Sequence, residues 1–79
     1  MSAARSYRMI LTRGGRTPAL LAGAERVDHV EVVEIDSGEV ALFWDLPPRA
    51  ASKLAAALRA DLVRLDAEDF MARWSTVEH

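Results

Sequence analysis

From Val40 to Trp44 the chain reads VALFW, five apolar residues with no polar break. The run is bounded by the turn-forming Asp36-Ser37-Gly38 on one side and by Pro47-Pro48 on the other. It has the length and the β-branched and aromatic content of a strand. A strand in a sheet with one wet face alternates apolar and polar residues. Here Val40, Leu42 and Trp44 share one parity while Ala41 and Phe43 share the other, so both faces need cover.

That requirement is severe in a chain of 79 residues. A domain this small buries about 60–65% of the surface its unfolded chain exposes, and most such domains add a disulfide, a metal or a partner. There is no cysteine, which excludes disulfides, thiolate catalysis and Cys-based zinc sites. Of the two histidines, His79 is the last residue, and a metal needs three or four ligands. No metal and no cofactor is therefore expected. A second copy of the chain or another protein is the staple that remains. Val40, Leu42, Phe43, Trp44 and Trp74 are the expected interface, since tryptophan is enriched at interface hot spots. Cover of the second face by residues 17–26 of the same copy is the alternative.

The rest of the chain reads as one small α+β domain over residues 1–79. Ser6 to Thr12 is a strand with Tyr7, Met9 and Leu11 on one face and Arg8, Ile10 and Thr12 on the other. Gly14-Gly15 suits a tight turn. Residues 17–26 are ambiguous: Thr17-Pro18 suits a helix start, whereas a tight Gly-Gly hairpin would make the segment an edge strand. Val27 to Ile35 is a strand that pairs through Asp36-Ser37-Gly38 with Glu39 to Leu46. Its apolar residues change parity between Val32 and Val33, and a bulge there would bring Val30, Val32, Val33 and Ile35 onto one face. Pro48 suits the first turn of a helix running to about residue 65, with Ala51, Leu54, Leu58, Leu62 and Leu65 as its apolar stripe. Asp66, with Asp69 three residues on, caps a second short helix over about 67–75 that carries Phe70 and Trp74. A single bent helix through 65–66 is the alternative. The expected fold is an antiparallel sheet of three or four strands, with the central hairpin at about 27–46 packed against the two C-terminal helices.

Chemistry-bearing patterns are sparse. Asp28-His29-x-Glu31 has acid–base residue types, but the strand pattern makes it a solvated acidic face. A nucleophile–base pair would need Ser37 beside His29, with no orienting motif around them. Neither a Walker nor a dinucleotide-binding glycine pattern surrounds Gly14-Gly15. No catalytic residue is assigned.

Residues 1–24 carry Arg5, Arg8, Arg13 and Arg16 and no acid, whereas 25–47 carry seven acids against Arg26 alone. The four arginines, with Tyr7, are the basis of a second reading, a nucleic-acid or ribosome-associated factor. The pI of about 5.6 and the absence of Asn and Gln weigh against it, because adenine is commonly read by those amides. Abundant Ala and Arg with a single Lys suggest a GC-rich bacterial genome. No apolar run approaches a membrane span or a signal-peptide core, so a cytoplasmic location is expected. The leading expectation is a small, non-enzymatic homodimer acting through protein contacts as an accessory or regulatory module.

Overall fold

A computed structural model describes residues 1–13 and 27–77. Three strands, β1 (Tyr7–Thr12), β2 (Asp28–Glu34) and β3 (Val40–Leu46), form an antiparallel sheet in the order β1-β2-β3. Two helices, α1 (Pro48–Arg64) and α2 (Ala67–Trp74), follow and pack on it. The α+β class, the hairpin and both helices agree with the sequence reading. The helix-or-strand choice for 17–26 and the Gly14-Gly15 turn lie outside the described residues.

Alternation is clean in β1. Tyr7, Met9 and Leu11 turn toward the core, and Arg8, Ile10 and Thr12 lie on the opposite face. In β2, Val30 and Val32 are fully buried. They meet Leu42 and Trp44 of β3, Val30 pairing with Trp44 and Val32 with Leu42. Against this inner layer pack Ala51, Leu58 and Leu62 of α1 and Phe70 and Trp74 of α2. Ala51 and Ala55 are both buried; without bulk, they let α1 come close to its neighbours. Trp74 meets Trp44 edge-on at 6.3 Å between centroids, and Phe70 stacks on Tyr7 at 6.0 Å. Aromatic pairs of this kind contribute about 0.5–1.5 kcal/mol beyond their buried area.

The irregularity at Val32/Val33 is present, but it does not do what the sequence suggested. Val32 pairs with Leu42 and Val33 with Val40, so Ala41 is the extra residue and it belongs to β3. β2 keeps its alternation, and Val33 faces away from the core beside Arg8. The bulge instead reverses the facing of β3 above it. Val40, which has the parity of Leu42 and Trp44, sits on the outer face and is 51% exposed.

The helix ends are closed by local chemistry. Pro47 precedes α1, with Pro48 in its first turn, where a missing N–H costs nothing. Leu65 is extended (φ −99°, ψ 156°), which separates the two helices. The Asp66 carboxylate accepts from the Asp69 amide at 2.8 Å and caps α2. A 3-10 turn at Ala3–Arg5, which the sequence did not announce, helps to finish α1. The buried Ala3 amide donates to the Leu65 carbonyl at 2.7 Å, pairing one of the carbonyls that a helix end leaves open.

The β2–β3 turn depends on Gly38, at φ +75°. Its amide donates to Glu34 O, and Ser37 Oγ both donates to the Glu34 carboxylate and accepts from the Glu39 amide. A Cβ at Gly38 would meet no atom within 4 Å, so only backbone strain opposes a side chain. Left-handed backbone costs an L-residue about 1–2 kcal/mol, partly offset by a less flexible unfolded chain. Gly38→Ala is therefore expected to lower the unfolding free energy by about 1 kcal/mol in a urea titration with the fold unchanged. A loss several times larger would contradict the open space around this position.

Candidate interaction surface

The helices occupy one side of the sheet. The other side is a grid defined by strand pairing. Arg8, Val33 and Val40 form one cross-strand row, Ile10, Glu31 and Phe43 the next, and Thr12, His29 and Asp45 the third. Ile35, bonded through its amide to Ser6 O, continues the grid beyond Val33. Ile10, Ile35, Val40 and Phe43 are 37%, 47%, 51% and 39% exposed. An open depression of about 310 Å3 is lined by Arg8, Ile10, Val33, Glu34, Ile35 and Gly38.

The five residues expected at the interface fall into two groups. Val40 and Phe43 lie on this outer face. Leu42, Trp44 and Trp74 are 5%, 1% and 7% exposed, enclosed by the chain's own helices, and present almost no surface to a partner. The correction has a simple cause. The large indoles fill the space between sheet and helices, which a core of few residues leaves to its bulkiest side chains. Ile10, Val33 and Ile35 complete the outer apolar group. The signal for Ile10 was visible as the parity opposite to Tyr7, Met9 and Leu11; that for Val33 and Ile35 required knowing which strand carried the bulge.

The acidic cluster also divides. Asp28 is fully buried on the core side of β2 and not part of a solvated face, with Arg13 Nη1 3.9 Å from its Oδ2. His29 and Glu31 are on the outer face. His29 Nδ1 is hydrogen-bonded to Asp45 Oδ1, and its ring stacks on Phe43 at 5.7 Å. Ser37 and His29 sit at opposite ends of the β2–β3 hairpin, about 20 Å apart at strand rise, so they form no nucleophile–base pair. Among the described residues, no three His, Asp or Glu side chains converge to hold a metal ion.

Of the N-terminal arginines, Arg5 lies in the 3-10 turn before β1, Arg8 on the outer face and Arg13 just past the strand beside Asp28. Only Arg8 lies on the strand itself, with Arg5 before its start and Arg13 past its end. Arg16 lies outside the described residues.

A buried carboxylate that the helical stripe did not reveal ties the two helices together. Asp61, 5% exposed, accepts from Trp74 Nε1 at 3.0 Å and from Arg64 Nη2 at 2.9 Å, with Arg73 Nε 3.3 Å away. Its place beside Leu62, with Arg64 three residues on, was the only sequence signal.

Among the described residues, no helix is long and apolar enough to cross a membrane. Comparison with protein-family models, with curated proteins and with solved structures finds no match to this chain.

Proposed function

We propose that this chain acts as a dimer through protein–protein contacts, as an accessory or regulatory module and not as a catalyst. One observation carries the reading: a sheet whose inner face is already closed by helices still carries Ile10, Val33, Ile35, Val40 and Phe43 on its outer face. Antiparallel sheets of soluble domains keep that face polar. A contiguous apolar patch on a small domain marks a contact site.

Sedimentation velocity across the micromolar range tests it. The wild-type weight-average mass is expected to rise above 8.7 kDa with concentration. Ile10→Asp places a charge in the patch without touching the core, and it is expected to weaken self-association about tenfold or more, since desolvating an unpaired charge in an interface costs several kcal/mol. Far-UV circular dichroism should show the variant folded. A wild-type chain that stays at 8.7 kDa at every concentration removes the proposal.

A further inference from the structure

Four side chains on the outer face stand at the corners of a rectangle. Arg8 pairs across the strands with Val33, and Ile10 with Glu31. The sides are roughly 4.8 Å between strands and 6.8 Å along them. One diagonal joins the two charges, Arg8 and Glu31; the other joins two apolar residues, Ile10 and Val33. Neither charge is held in an ion pair among the described residues, whereas the neighbouring His29 and Asp45 are hydrogen-bonded to each other and Glu34, paired with the inward Tyr7, is bonded by the Ser37 hydroxyl. The four corners therefore carry one base and one acid without an ionic partner, diagonally placed around apolar contacts.

Such a pattern is complementary to itself. We propose that the outer face binds a second copy of the chain about a two-fold axis lying along the Ile10–Val33 diagonal, so that Arg8 of each copy meets Glu31 of the other. Rotation about that axis stacks Ile10 on Ile10 and Val33 on Val33. It exchanges the charged corners to within roughly 3 Å, inside the reach of an arginine side chain, given the strand spacings above. The same rotation carries Val40 over Ile35 of the second copy. The strands of the two sheets then cross at roughly 70°, near the orthogonal class of sheet packing. A two-fold contact repeats each charge pair, so two Arg8–Glu31 pairs form per dimer. A foreign partner of one charge sign would satisfy only one of these two groups. This assignment rests on the reading that the chain self-associates, and it specifies where and in what orientation.

The test is a charge exchange. Arg8→Glu and Glu31→Arg each create two like-charge contacts in a homodimer and are expected to weaken self-association about tenfold or more. Mixing the two variants restores both opposite-charge contacts. The mixture is expected to sediment as a dimer with affinity within about threefold of wild type, and native mass spectrometry with one variant isotope-labelled should find one copy of each. Repulsion within a single copy cannot produce that recovery. A second measurement does not depend on the charges. Because the chain has no cysteine, Ile10→Cys places one thiol per copy beside the axis and is expected to give a disulfide-linked dimer under mild oxidation, while Ser52→Cys on exposed α1 is not. A monomeric wild type would overturn the self-association reading and this one with it. A dimeric wild type that ignores both charge reversals, or variants that weaken but do not recover on mixing, would overturn this surface and orientation alone. Equal oxidation at Ile10→Cys and Ser52→Cys would also overturn it.

Discussion

Trp44→Ala is expected to remove most of the stability of the folded chain. Trp44 is 1% exposed, pairs across the sheet with Val30 and meets Trp74 edge-on. Truncating a buried tryptophan costs about 3–5 kcal/mol, because lost transfer energy is compounded by the cavity left behind. A 79-residue domain has about 4–12 kcal/mol in all, and 1 kcal/mol corresponds to about 4–8 °C in Tm at this size. A fall of about 15–30 °C is expected, followed by far-UV circular dichroism during heating. Trp44→Phe, which keeps a ring in the site, should retain much more. Since Trp44 lies inside its own copy, the loss should appear at low protein concentration as well as high. A Trp44→Ala chain that melts within a few degrees of wild type would contradict its position in the core.

Asp61→Ala should produce the second-largest loss, about 2–3 kcal/mol, by detaching α2 from α1. The Trp74 indole N–H is buried against Asp61, and a buried donor left without its acceptor costs about 1–3 kcal/mol. Arg64 and Arg73 add less. Their side chains are 64% and 58% exposed, so water replaces the carboxylate at little cost. Asp61→Asn separates the contributions, because its amide oxygen can still accept from Trp74. Recovery of at least half the loss in urea titrations identifies the indole bond as the main term. If Asn is as damaging as Ala, the ion pairs carry more than their exposure implies.

What reached the surface and what entered the core was decided by a single residue. Counted by parity, Val40, Leu42 and Trp44 form one set, and the sequence offered that whole set, with Phe43, as an interface. Strand pairing inserts Ala41 as an extra residue. Val40 is thereby turned outward to join Phe43, Val33 and Ile10, while Leu42 and Trp44 remain inside. A bulge is chosen by register against a neighbouring strand, and one strand's own residues do not carry that information. Asp28 and Asp61 illustrate the same limit. Charged residues are almost never fully buried unless paired, and their partners, Arg13 for Asp28 and Trp74 and Arg73 for Asp61, are remote along the chain.

The sequence by itself determined the elements. Alternation in residues 6–12, β-branched runs around Asp36-Ser37-Gly38, the Pro47-Pro48 stop, the leucine stripe of 51–65 and the Asp66–Asp69 cap are all local signals, each acting within about one or two turns or strands. They also established that one face of β3 would be left over once the helices had covered the other. Only the tertiary structure decided which residues make up that leftover face and which charges accompany them. Register places Arg8 beside Val33 and Ile10 beside Glu31, and the bulge adds Val40. The two β1–β2 contacts join residues more than twenty positions apart in the chain, and the free energy that selects the register is packing of the whole core, not the preference of any one segment.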